Sequence, residues 1–179
     1  MANLTEAGNR LAPLIVTAEL SGEILAIVEG LRRKHYPPER NRVKAHLTLF
    51  HAVPPTCRQE LRETLADLAA THAPLPARLA GVIDLGNGTA LKVISDALHH
   101  VHAAIADRFA GMLNAQDRQV PRFHITIQNK VDRHKARELQ RELAGQPFDR
   151  PFAIAGLEAH FYRGGPWESA GRWRFRRGA

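Results

Sequence analysis

Two stretches of the chain carry one six-residue pattern. Lys44-Ala45-His46-Leu47-Thr48-Leu49 and Arg122-Phe123-His124-Ile125-Thr126-Ile127 both run basic residue, spacer, His, aliphatic, Thr, aliphatic, and they lie 78 positions apart (124 − 46). With ten His and eight Thr in 179 residues, chance gives about 0.4 His-x-Thr matches (10 × 8/179). Two occur, and both have aliphatic flanks and a cation at the same offset, so coincidence is a poor account. On a strand, alternation puts His46 with Thr48, and His124 with Thr126, on one face, while the aliphatic residues turn to the other. Same-face neighbours are about 7 Å apart, so one anion can touch both members of a pair.

Two such pairs match the needs of a phosphodiester. One imidazole can take a proton from an attacking hydroxyl or water, and the other can protonate the leaving oxygen. The Thr hydroxyls can donate to the non-bridging oxygens as charge builds there. Lys44 and Arg122 precede the histidines by two, which on a regular strand places two cations on the same face as further phosphate contacts. Which imidazole is the acid and which the base is open at this level.

The rest of the chain must position these strands. Pro13 to Leu20 reads as a strand, and Gly22 to about Lys34 as a helix capped by Ser21. His35 to Arg40 is a loop, and the first repeated strand spans about 44–52. A helix from Cys57 to Thr71, capped by Thr56, is followed by a linker at 72–77 that contains Pro74 and Pro76. Arg78–Leu85 and Ala90–Ile94 read as a hairpin around Gly86-Asn87-Gly88. The longest helix runs from Asp96 to Leu113, behind Ser95. The second repeated strand, about 122–130, precedes a helix from Asp132 to Ala144 that ends at Gly145 and Pro147. Strands near Phe152–Tyr162 and Trp167–Phe175 close the chain. This order predicts one α+β domain over residues 1–179 with two pseudo-symmetric lobes. Each lobe is an antiparallel sheet with helices packed outside, the two flank a central groove, and the linker near 72–77 is one seam.

Bulk properties are compatible. Hydrophobic residues make up 44% and charged residues 24%, enough to bury a core. No apolar run is long enough to span a membrane, and Met1-Ala2-Asn3-Leu4-Thr5-Glu6 does not read as a signal peptide. A single cysteine, Cys57, excludes an internal disulfide framework, which points to a cytoplasmic protein, expected to be a monomer. A formal charge of +7 favours polyanionic partners.

Several other residues have two readings each. Trp167, in the Gly164-Gly165-Pro166 turn region, could stack on a base or pack the turn. Tyr36, with His35, Arg40 and Arg42, could rim the groove. Arg172, Arg174, Arg176 and Arg177 could contact RNA backbone or form an ordinary basic strand face. His99 and His102 have helical spacing, but without a carboxylate–histidine motif they make a poor metal site. His51, five after His46, falls on the opposite face by strict alternation and is left out of the expected site. Phe50 and Gln128 differ between the copies and mark where the symmetry ends.

The pair His46-Leu47-Thr48 and His124-Ile125-Thr126 resembles the signature of the two-histidine phosphoesterases, in particular the bacterial 2′-5′ RNA ligase / RNA 2′,3′-cyclic phosphodiesterase branch. The similarity covers nearly the whole chain. It implies a metal-independent enzyme for 2′,3′-cyclic phosphate ends or 2′-5′ phosphodiester bonds, with His46, Thr48, His124 and Thr126 as its four catalytic positions. The partner would be RNA or a nucleotide bearing a cyclic phosphate. Two alternatives remain: a non-catalytic RNA-binding groove, and the same chemistry on a small cyclic-phosphate nucleotide.

Overall fold

The computed structural model describes residues 11–146 and 148–176. Among the described residues seven strands and four α-helices follow one another as β1 (Leu14–Leu20), α1 (Gly22–His35), β2 (Leu47–Val53), α2 (Arg58–Thr71), β3 (Leu75–Asp84), β4 (Gly88–Ile94), α3 (Asp96–Arg108), β5 (His124–Asn129), α4 (Arg133–Ala144), β6 (Arg150–Phe161) and β7 (Glu168–Arg174). All pairings are antiparallel and run β1-β2-β5-β4-β3-β6-β7, with a further β1–β6 pairing. The expected α+β architecture is present. Its two sheets, however, are joined into one network, in which the long strand β6 pairs β3 through Arg150–Ile154 and β1 through Ile154–Phe161.

The expected seam at 72–77 is not a linker, because β3 already begins at Leu75. Pro76 is tolerated there. It faces Ala153 of β6, and pairing with β4 starts only at Arg78, so its missing N–H interrupts nothing on that edge. Its carbonyl accepts from Ser95 Oγ (2.7 Å), and the same Oγ accepts from Leu98 N (3.1 Å) to cap α3. That helix ends at Arg108, short of Leu113, yet Phe109 and Leu113 stay buried in the turn that follows. Arg177 and Pro147 lie outside the described residues.

Helix faces follow the expected periodicity. Leu61, Leu65 and Ala69 of α2 are buried, as are Leu98, Val101 and Ile105 of α3 and Ala136, Leu139 and Leu143 of α4. All of these except Ala136 join Leu47, Leu49, Ile125 and Ile127 in one contiguous apolar cluster. Fully burying each aliphatic side chain contributes about 1.5–3 kcal/mol, so both repeated strands are anchored from beneath by the same core. Asp132 caps α4 by accepting from Lys135 N (3.0 Å).

Helix α1 has a different role. Its buried Arg32 donates to the carbonyls of Thr126 (2.8 Å) and Val43 (2.8 Å) and to Asn41 Oδ1 (2.7 Å). One turn earlier, Glu29 accepts from Ala45 N. The helix thereby ties the approach to the first motif to the second motif's own backbone.

Candidate active site

The two repeated strands are direct neighbours in the sheet. Leu47 of β2 pairs with Ile125 of β5 in antiparallel register. Continuing that register one residue each way sets Thr48 beside His124, and His46, just ahead of β2, beside Thr126. Each His therefore stands next to the other strand's Thr. Strand spacing of about 4.8 Å and the about 7 Å same-face step give the four side chains the corners of a small rectangle on the open face. Beneath it Leu47, Leu49, Ile125 and Ile127 are 0–2% exposed.

Both imidazoles are held alike. His46 Nδ1 donates to the Lys44 carbonyl (2.8 Å), and His124 Nδ1 donates to the Arg122 carbonyl (2.7 Å). A carbonyl only accepts, so the proton in each bond belongs to Nδ1. In the neutral ring Nε2 is then the lone-pair nitrogen, and in the charged ring it is a second donor. The sequence pattern pointed to the cationic side chains two residues before each His, whereas it is their backbone that orients the two imidazoles. Lys44 itself is exposed and lines neither cavity described below, contrary to its expected phosphate contact. Arg122 does line the site.

The surroundings differ between the halves. Burial pushes His46 down to about 4; the bond to Lys44 opposes this, and the nearby Arg32, His160 and His124 add to it. Trp167 packs on the His46 ring at 4.4 Å and on His160 at 5.3 Å. His160 in turn meets Thr17 Oγ1 at 3.1 Å. Trp167 is thus a wall of the site, and its contact with His46 favours the packing alternative for that residue. His160, from β6, carried no motif in the sequence.

Two cavities meet at the rectangle. One, of about 420 Å³, is lined by both His/Thr pairs and extends past Arg122 to Gln119 and Val120. The other, of about 490 Å³, shares His46, His51, Thr126 and Trp167 and extends to Tyr36, Arg40, Lys130 and Tyr162. Tyr36 lines this second cavity, with the Arg32 guanidinium 4.4 Å from its ring.

His51 lines both cavities, although strict alternation excluded it. The reason is a β-bulge. Thr48 pairs Thr17 and Phe50 pairs Val16, which leaves Leu49 as an extra residue. The second strand repeats this: Thr126 pairs Ala90 and Gln128 pairs Thr89 around Ile127. Parity flips after each bulge. Phe50 and Gln128 go to the interior (0% and 6% exposed), and His51 and Asn129 return to the open face. The informative difference between the copies is therefore His51 against Asn129, rather than Phe50 against Gln128.

Other expected contacts have structural partners. Arg172 donates to the buried carboxylate of Glu19 (Nε–Oε2 2.9 Å), and Arg174 lies 3.3 Å from it, so both guanidiniums have a carboxylate partner within the protein. Arg176 is joined to α2 through its backbone, Arg176 N to Ala69 O (3.1 Å). His102 stacks on Phe50 (4.4 Å) and His99 packs on Phe123 (4.5 Å). Among the described residues no group of three or more His, Cys, Asp or Glu could hold a metal, and no helix is long and apolar enough to cross a membrane.

A family model described as the 2′-5′ RNA ligase superfamily matches residues 20–166. The chain belongs to that superfamily, a class of phosphoesterase- and ligase-type enzymes. Solved structures agree on the fold. The TT0787 protein of Thermus thermophilus is 16% identical with TM-score 0.59, covering 92% of this chain and 98% of its own. LigT of E. coli, complexed with 3′-AMP, is 19% identical with TM-score 0.59, covering 93% of this chain and 99% of its own. No curated protein matches.

Proposed function

We propose that the chain is an RNA-end phosphodiesterase. It would hydrolyse 2′,3′-cyclic phosphate ends, or break and join 2′-5′ phosphodiester bonds, by general acid–base catalysis at the His46/Thr48/His124/Thr126 rectangle. The observation carrying this reading is the crossed pairing of two His/Thr sets with identical Nδ1–carbonyl bonds, which leaves two Nε2 atoms for proton transfer on one small face.

Burial keeps His46 uncharged near neutral pH, which suits it to the base. Its Nε2 takes a proton from water as the water oxygen bonds to phosphorus. The bond from phosphorus to one ribose oxygen breaks, and His124 Nε2–H protonates that oxygen. Thr48 and Thr126 donate to the non-bridging oxygens, where charge accumulates. Solvent exchange then resets both imidazoles. Support for a nucleotide ligand comes from E. coli LigT, which has been solved with 3′-AMP, ATP, NADP+ and phosphate.

The test is turnover of a 2′,3′-cyclic nucleotide in excess chelator. The wild type should be active, and His46→Ala and His124→Ala inactive with the fold retained. Full activity in either variant would overturn the assignment.

A further inference from the structure

One anchored side chain beside the rectangle has no part in the proton transfers above. His51 Nδ1 lies 3.1 Å from Asp117 Oδ1. That carboxylate is 1% exposed and also accepts from His51 N (2.8 Å), Ala52 N (2.9 Å) and Asn114 Nδ2 (3.2 Å). Burial alone would raise its pKa, but the bonds from His51 and Ala52 hold it below the usual carboxylate value. Asp117 therefore stays ionised and only accepts, so Nδ1 of His51 carries the proton. Nε2 has no protein partner among the described residues, and 52% of the side chain is exposed, at the junction of the two cavities.

This is the base-and-orienter geometry of a working imidazole, with the orienting carboxylate buried and fully bonded. Its counterpart in the other half, Asn129, instead caps its neighbour's backbone through Oδ1 (Lys130 N, 2.8 Å). His51 is the next residue on the open face after Thr48, a step of about 7 Å in a strand. Such a step is comparable to one nucleotide along a single strand. The cavities continue to both sides, each with an exposed apolar residue (Val120, 83%; Tyr162, 44%) and cations, Arg122 on one side and Arg40 and Lys130 on the other. A single cyclic nucleotide would leave one side empty.

We propose that His51, positioned by Asp117, binds the sugar-phosphate of the nucleotide next to the scissile phosphate and so selects an oligonucleotide end over a mononucleotide. It rests on the phosphoesterase reading of the site. Nε2 can accept from a ribose hydroxyl or donate, when charged, to a phosphate oxygen, and both groups belong to that one neighbouring nucleotide.

The experiment compares kcat/KM for a 2′,3′-cyclic mononucleotide with that for a short RNA ending in the same cyclic phosphate. The ratio of RNA to mononucleotide should fall about tenfold or more in His51→Ala, the scale of one charge-assisted hydrogen bond. Asp117→Asn should move the ratio the same way, and the double variant no further, because Asp117 acts through His51. A 2′-deoxy substitution at the neighbouring nucleotide separates hydroxyl from phosphate recognition: the effect of His51→Ala disappears in the first case and persists in the second. An unchanged ratio in a folded His51→Ala protein, whether both rates fall together or neither falls, overturns the proposal. If Asp117→Asn fails to fold, His51→Gln takes its place. The ratio of equilibrium affinities for RNA ending in a 3′-phosphate and for a nucleoside 3′-phosphate gives a second readout. Should the wild type turn over neither substrate, the phosphoesterase reading fails while this binding ratio still decides for or against His51.

Discussion

The two halves of the site share a backbone and differ in what surrounds it. Each has a His held by the carbonyl two residues back, a Thr two residues on, and a β-bulge at the next aliphatic residue. Around the first, burial lowers the proton affinity of the imidazole, Arg32 and His160 add to this, and Trp167 packs on the ring; beyond the bulge stands His51 on Asp117. Around the second, His124 opens towards Arg122 and Val120, and beyond the bulge stands Asn129. A symmetric scaffold can thus assign unequal jobs to equal residues, because proton affinity is set by the surroundings rather than by the motif.

The largest effect expected is on turnover. His46→Ala and His124→Ala should each lower kcat for a 2′,3′-cyclic nucleotide by about 10²–10⁴-fold, the usual weight of general acid–base catalysis. The halves separate in the pH profile of kcat/KM. With His46 as base at about 4 in the free enzyme, the acidic limb should lie near that value, well below the range of an ordinary imidazole. A limb near pH 6.5 would assign the base elsewhere.

Next come the threonines. Thr48→Ala and Thr126→Ala should each cost on the order of 10²-fold in kcat, comparable to losing one preorganised donor to a developing oxyanion. Strongly unequal losses would show that the phosphate sits off the centre of the rectangle.

Much of this was legible in the sequence. Two His-x-Thr patterns with aliphatic flanks place strands, core and chemistry together, because one alternation serves all three. The limits of legibility are equally physical. A bulge adds one residue without any residue type to announce it, so parity counting misassigned His51. Arg32 and Glu29 read as ordinary residues of an amphipathic helix, and only the tertiary fold brings them to the backbone of both motifs. His160 and Asp117 reach the site from elements with no pattern of their own. Pro76 looked like a linker because a strand edge that needs no N–H cannot be recognised from sequence.

A smaller effect concerns stability. Arg32→Leu removes the link between the halves and takes the Arg32 donor away from the part-buried carbonyls of Thr126 and Val43. A loss of about 2–4 kcal/mol is expected in denaturant melts, from about 1–3 kcal/mol per unsatisfied buried group. A neutral result would mean that the motifs are held in register by the core alone.

Smallest is an acid effect confined to the first half. His46 titrates at about 4 when folded against an ordinary 6.5. Between those values the unfolded chain binds a proton that the folded chain does not. This group therefore lowers stability as pH falls from about 6.5 to about 4, and adds nothing further below that. His46→Asn should flatten that part of the stability curve relative to wild type, and parallel curves would contradict the burial argument.

The central claim is that His46 and His124 work as one acid–base pair. The direct measurement is kcat/KM for a 2′,3′-cyclic nucleotide in wild type, both single Ala variants and the double variant. Members of a catalytic unit are strongly non-additive, so the double variant should be no slower than the slower single variant. Losses that multiply, or a single variant that keeps wild-type turnover, would contradict it.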